Sequence, residues 1–244
     1  MTEKQRVAVV TGGSRGIGRS VSARLAADGL AVGVVFASDK DSADATVAEI
    51  RDAGGRALAR SADVADEVAV SAALDAVEAE FGGIDVVVNS AGMMSLQPLA
   101  EFDLAVLDRM HRTNIRGAFV VNQQAARRVR AGGAIINLST SVTKLALPTY
   151  SGYTASKGAV DALVPVLAKE LRGRDITVNA VAPGPTATDL FLDGKDEATI
   201  SAMANMNPMQ RLGTPADIAE VVSFLAGPGR WINGQIVYVN GGMV

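Results

Sequence analysis

The chain contains no cysteine, which excludes disulfides, thiol catalysis and any thiolate metal site. Histidine occurs once, as His111. A single imidazole cannot form a histidine cluster, so His111 reads as a structural or surface residue. No run of about 18 uninterrupted apolar residues is present, the length a membrane-spanning helix requires. The opening residues Met1 to Arg6 lack the apolar stretch of a signal peptide, and a cytoplasmic protein is expected. A basic excess is also missing. The formal net charge is −3, which argues against a general nucleic-acid binder. Linkers and internal repeats are absent from the pattern.

What is there is an apolar fraction of 48% over 244 residues. That is enough for a large core, in a length normal for a single α/β unit. Strand-like runs fall near 7–11, 31–36, 56–60, 84–88, 133–138, 175–181 and 235–239. Helical periodicity fills about 16–28, 41–53, 66–80, 103–130, 152–172 and 215–226. The alternation predicts an α/β fold over residues 1–244, a doubly wound parallel sheet of about seven strands with helices on both faces. One irregular stretch, 189–210, mixes Leu190, Phe191, Leu192, Met203, Met206 and Met209 with polar residues. It reads as two short surface helices or as a methionine-rich cover for an apolar pocket, since methionine adapts to irregular shapes.

Two local patterns carry chemistry. The apolar run Val7-Ala8-Val9-Val10 leads into Thr11-Gly12-Gly13-Ser14-Arg15-Gly16-Ile17-Gly18, and a helix with Val21 and Leu25 on one face follows. Strand, glycine-rich turn and helix together make a credible dinucleotide cradle. Glycine permits positive φ in a tight turn, and without Cβ it lets a pyrophosphate approach. The helix start supplies free N–H groups and the positive end of the dipole. The second pattern is Tyr153-Thr154-Ala155-Ser156-Lys157. Its tyrosine and lysine lie four apart, on the same face of a helix. A free phenol titrates at about 10, and a neighbouring ammonium favours the phenolate. Such a pair can exchange a proton with a hydroxyl or carbonyl. Taken alone the spacing is unspecific, because a surface tyrosine beside a solvated lysine shows it too.

The glycine spacing departs from the common G-x-G-x-x-G form and resembles the Thr-Gly-x-x-x-Gly-x-Gly of the short-chain dehydrogenase/reductase family. The resemblance extends over nearly the whole chain. Asn89-Ser90-Ala91-Gly92 follows a strand, and Asn114 lies in Thr113-Asn114-Ile115-Arg116-Gly117. Ile135 to Thr140 resembles the end of strand five, and Pro183-Gly184-Pro185-Thr186-Ala187-Thr188 the loop after strand six. Asn233-Gly234-Gln235 and Val239-Asn240-Gly241-Gly242 resemble the last strand and its exit. The resemblance implies a Rossmann-type fold that binds a nicotinamide dinucleotide. Gly12, Ser14, Arg15, Gly16, Ile17 and Gly18 would line the phosphates. Asn89, Ala91 and Gly92, with Pro183, Gly184, Thr186 and Thr188, would also contact the cofactor, and Asp63 and Val64 would flank the adenine. Residues 189–210 would cover the substrate.

The strand end bears on which cofactor is used. An NAD enzyme usually holds the ribose hydroxyls with an acidic residue there. Phe36 or Ala37 takes that position here, and neither can do so. Arg15 and Ser38 suggest a 2′-phosphate site, since arginine pairs well with phosphate. NADPH is therefore expected. Asp39 leaves NAD open if the register shifts by one residue, although Asp39 also reads as a helix N-cap.

By resemblance, Tyr153 is the acid in ketone reduction. Lys157 lowers its pKa and holds the nicotinamide ribose, and Asn114 holds a water linking Lys157 to solvent. A hydroxyl from strand five polarises the carbonyl. Gapless register selects Thr140, residue type selects Ser139, and Ser141 is a third candidate. The expected function is NADPH-dependent reduction of an apolar ketone. The alternatives are 3-oxoacyl carrier-protein reduction and a non-catalytic NADPH-binding regulator. Arg127, Arg128, Arg130, Arg172 and Arg174 would greet an acidic carrier protein, or simply complement helix C-termini. The family implies a tetramer or dimer built on the two long central helices, where Ala155, Gly158, Ala159 and Ala162 permit close contact.

Overall fold

A computed structural model describes residues 5–244; Met1 to Lys4, which the sequence reading includes in the same domain, lie outside the described residues. Seven strands are present: β1 (Val7–Thr11), β2 (Ala31–Phe36), β3 (Ala57–Ser61), β4 (Ile84–Asn89), β5 (Val129–Leu138), β6 (Thr177–Pro183) and β7 (Ile236–Val239). The longer helices are α1 (Gly16–Ala27), α2 (Lys40–Asp52), α3 (Glu67–Phe81), α4 (Leu104–His111), α5 (Gly117–Arg128), α7 (Ser151–Glu170) and α10 (Pro215–Ala226). Short ones are α6 (Val142–Leu145), α8 (Asp189–Leu192) and α9 (Glu197–Ala204). The strands form one sheet in the order β3-β2-β1-β4-β5-β6-β7, every pair parallel. No helix among the described residues is long and apolar enough to cross a membrane.

The central strands read as continuous apolar runs because helices cover both faces. Along β1, Val7 and Val9 join the core under α3, α5 and α7. Ala8 and Val10 point the other way, into the core under α1, α2 and α10. The strand order reverses between β1 and β4. In such sheets the crevice outside the carboxyl ends at that switch is where ligands bind.

The structure departs from the sequence pattern at two places on this frame. The long helix expected over 103–130 is interrupted by a π turn, Arg112–Arg116, between α4 and α5. It also ends at Arg128, and residues 129–130 open β5 instead. Gly132, at φ +81, and Gly133 follow them; a Cβ on Gly133 would meet the Asp85 carbonyl oxygen at 2.4 Å. The chain therefore passes from helix into sheet with almost no loop, and β5 pairs with β4 through a register shift between Ile84 and Val86.

Asp85 fixes this corner. Its buried carboxylate accepts from the Val7 N–H (2.7 Å) and from Nε (2.9 Å) and Nη2 (2.5 Å) of Arg130. One side chain thus joins the starts of β1, β4 and β5. Asp85→Ala leaves the Val7 N–H and the guanidinium without their acceptor and should cost about 2–3 kcal/mol. Urea unfolding measures this, and Asp85→Asn, which keeps one acceptor, should lose less.

Candidate active site

The glycine turn is shaped by steric demands that only glycine meets. Gly12 and Gly16 sit at φ +64 and +53, in the left-handed region. A Cβ on Gly18 would lie 2.1 Å from the Gly12 carbonyl oxygen, so the turn closes on itself only without one. The first turn of α1 has no side-chain cap and no acidic residue; Arg15, at the N-cap, is extended. Its N–H groups are thus open to an anion. These features fit the pyrophosphate of a dinucleotide.

A cleft of about 470 Å³ runs from this turn along the carboxyl ends of the strands. Ser14, Ile17, Ala91, Gly92, Pro183, Gly184, Thr186 and Thr188 all line it. Asn89 does not. It is buried and bonded: Thr11 Oγ1 donates to its Oδ1 (2.8 Å), and its Nδ2 donates to Asn137 Oδ1 (3.3 Å). Asn137 in turn exchanges hydrogen bonds with Asn122 on α5 at 2.7 and 3.0 Å. Asn89 is therefore a brace beneath the cleft. The sequence reading missed its partners Thr11, Asn122 and Asn137, although polar side chains closing apolar strands are a signal for such a brace.

At one end of the cleft Phe36, Ala37, Ser38 and Asp39 follow β2, with exposed Arg15 beside them. Asp39 caps α2 by accepting from the Ser42 N–H (3.0 Å). That cap, aided by the charge of Arg15, holds its carboxyl below the usual range. Asp63 and Val64 also line the wall. Asp63 accepts from the Ala65 N–H (2.9 Å) and from Arg112 (2.5 Å), a partner the sequence did not reveal.

At the other end stand Tyr153 and Lys157, one turn apart on α7, with the Lys157 ammonium 5.9 Å from the phenol ring centre. Lys157 is buried and donates to the Leu138 carbonyl oxygen (2.8 Å). The Thr140 hydroxyl faces the phenol and favours its ionised form. Ser139 faces Asp161 instead, as neighbouring strand residues point opposite ways. Ser141 is engaged elsewhere, donating to Ala182 O (3.1 Å) and accepting from Asn240 (3.0 Å). Asn114, in the π turn, lies one layer behind the wall. Its Oδ1 accepts from Met93 N (2.9 Å), and its Nδ2 donates to Met93 O (2.8 Å) and Ser156 Oγ (3.0 Å). Ser156 then donates to the Tyr153 carbonyl oxygen (2.8 Å), which ties the π turn to the tyrosine's own turn of helix.

Burial dominates the electrostatics. It pushes the Tyr153 phenol up to about 12, with Thr140 opposing. It pushes Lys157 down to about 8, with the charge of Asp161 opposing. The sequence reading has Lys157 lower the phenol's pKa; in the folded chain desolvation outweighs that pull, and Thr140 is the group that counters it. Beyond the pair the wall turns apolar, with Met93, Leu145, Leu147, Leu190, Phe191 and Met203. Met206 and Met209 are exposed and do not line it.

The arginines lie elsewhere. Arg128 binds Asp75 (2.5 Å) and Glu78 (2.8 Å), and Arg130 binds Asp85. Arg127 stands 3.9 Å from Glu67, and Arg174 donates to the carbonyls of Ala126 and Val129. Arg127, Arg128, Arg130 and Arg174 gather at the start of β5, the opposite end from Thr140, and Arg172 is exposed beyond the end of α7.

Known proteins share this arrangement. A family model described as enoyl-(acyl carrier protein) reductase matches residues 12–244. A "Short-chain type dehydrogenase/reductase" of Picea abies is 43% identical, covering 98% of this chain and 92% of the relative. An "NADPH-dependent aldehyde reductase-like protein, chloroplastic" of Arabidopsis thaliana is 39% identical, over 98% and 94%. A crystal structure of a short chain dehydrogenase from Burkholderia cenocepacia in complex with NADP superposes with a TM-score of 0.93, at 39% identity over 98% of each chain.

The displaced lysine has a consequence for stability. A lysine at about 8 when folded and near 10.4 when unfolded binds fewer protons in the native state between those values. Its burial penalty is therefore full below pH 8 and fades as pH rises toward 10. Lys157→Met should show its largest gain in Tm over the parent near pH 7, and the gain should shrink by pH 10. Thermal melts across that range check it; a pH-independent difference would contradict the assignment.

Proposed function

Since the chain belongs to the short-chain dehydrogenase/reductase family and is an NAD(P)-dependent oxidoreductase, we propose that it reduces an apolar ketone to a secondary alcohol with NADPH. The observation that carries this reading is the convergence of Tyr153, Thr140 and Lys157 where the glycine-turn end of the cleft gives way to its apolar wall. The cofactor supplies a hydride to the carbonyl carbon. Tyr153 gives its proton to the carbonyl oxygen, and a phenol held near 12 is fully protonated for that task at neutral pH. The phenolate left behind is stabilised by the Thr140 hydroxyl and the Lys157 ammonium, which are in place before the reaction. Asn114 acts at one remove, by holding Met93 and the Tyr153 turn. In reverse the same groups take the proton of an alcohol.

Three features support NADPH over NADH. No acid stands at Phe36 or Ala37, Arg15 and Ser38 border the same stretch of cleft, and the Asp39 carboxylate is committed to capping α2. The Arabidopsis relative is named as NADPH-dependent and the Burkholderia structure holds NADP. Leu190, Phe191 and Met203 support a cover over the substrate by residues 189–210 within a single functional domain. Reduction of a carrier-bound 3-oxoacyl thioester is the weaker alternative, because most of the arginines that would greet the carrier are paired and far from the cleft mouth. A pure NADPH sensor has no need of the tyrosine–lysine pair. Exposed Phe119 on α5 and Val166 on α7, beside the open surface at Gly158, support association of copies through these helices.

Tyr153→Phe removes only the transferable proton. It should lower kcat by about 10²–10⁴-fold while NADPH titration gives a Kd within about twofold of the parent. Equal activity of the two would overturn the mechanism. Arg15→Ala should weaken NADPH by at least about tenfold, the order of one charge-assisted phosphate contact, and leave NADH nearly unchanged. Equal losses for both would place Arg15 away from the 2′-phosphate.

A further inference from the structure

Lys157 poses an electrostatic problem. It is buried, with a carbonyl oxygen, that of Leu138, as its hydrogen-bond acceptor, and it forms no ion pair among the described residues. An ammonium so placed is costly without a countercharge. The groups that face it are few. From β5 come the Leu138 carbonyl and the hydroxyls of Ser139 and Thr140. From the π turn comes the neutral amide of Asn114, across Gly92. On its own helix stand Tyr153 and Asp161.

Asp161 is the one acid in this set. It follows Lys157 by four residues on α7, as Lys157 follows Tyr153, so the three form a single stripe along one helix face. The far side of Asp161 meets Thr143 and Lys144 of α6. Its Oδ1 is buried and has no hydrogen-bond partner, and the same holds for Ser139 Oγ, which faces it. Two orphaned polar atoms beside a buried ammonium mark an electrostatic site that ordinary packing does not explain.

We propose that Asp161 is a positioning residue whose carboxylate, one turn beyond Lys157 and oriented by Ser139, keeps Lys157 an ammonium. Ser139 thereby gains a task that its neighbour Thr140 does not share. Burial raises the Asp161 carboxyl, and the Ser139 and Thr143 hydroxyls and the charges of Lys157 and Lys144 oppose this. The carboxylate acts on the lysine through space along the helix and touches neither substrate nor cofactor. The effect on turnover rests on the role given above to Lys157; the pairing itself does not.

The pairing is read directly by NMR titration of the enzyme carrying ¹³C-labelled lysine, with the Lys157 signal assigned by its loss in Lys157→Met. In Asp161→Asn the Lys157 midpoint should fall by about half to one pH unit, a three- to tenfold weaker hold on its proton. Asp161→Glu, which keeps the charge, should restore most of it. Asp161→Ser serves if the asparagine variant does not fold. An unmoved midpoint in a folded neutral variant overturns the proposal, and so does a fall that Asp161→Glu shares in full. The pH profile of kcat separates the two readings. If the NMR midpoint moves and the alkaline limb of kcat moves with it, both stand. If the midpoint moves and the limb does not, the pairing stands and the catalytic role of Lys157 fails.

Discussion

The buried chain of side chains from Thr11 through Asn89 and Asn137 to Asn122 is what holds the carboxyl ends of three strands level. Each of these side chains is within 5% of full burial, where an unpaired amide would be costly. The chain is satisfied only if β1, β4 and β5 end in register and α5 sits against them. That condition places the glycine turn, the turn at Ser90–Gly92 and the Ser139–Thr140 pair at one height. A hydrophobic core alone would not demand it, since valine packs against valine in more than one register. The polar brace makes the sheet specific, and the cleft is built on that specificity.

A second constraint acts on charge. The same burial that shapes the wall drives the tyrosine toward its neutral form and the lysine toward its own. A pair suited to passing a proton therefore begins as phenol and marginal ammonium, each short of solvation. Thr140 on one side and Asp161 on the other offset this in opposite directions. The site is thus a balance between desolvation and a few placed dipoles and charges, in which geometry and protonation cannot be set independently.

Much of this was legible in the chain itself. Seven strands and their parallel order followed from alternating apolar runs, because strands covered on both faces must be apolar throughout. The glycine turn was legible because so few residues can occupy it. What was not legible depends on distant contacts. That β5 starts at Val129 rests on Arg130 meeting Asp85, 45 residues away in sequence, which local periodicity cannot register. The choice between Ser139 and Thr140 rests on which way a strand residue points at its frayed end, a half-turn that spacing does not resolve. The position of Asn89 was mistaken because an asparagine before a glycine turn serves equally as a wall or as a brace, and only its partners decide.

The π turn at Arg112–Arg116 has an implication for how this chain can vary. Such a turn holds one residue more than an α-helical turn, and each residue of an α-helix rotates the chain by about 100°. Deleting one residue there would let the helix run straight and would swing everything after it round its axis. Val121 and Ala125, now buried against the sheet, would leave the core as Asn114 left Met93. Side chains in this stretch can be exchanged, but its length cannot. The segment behaves as a phase marker, and lineages descending from this sequence should accumulate substitutions across it while insertions and deletions collect elsewhere.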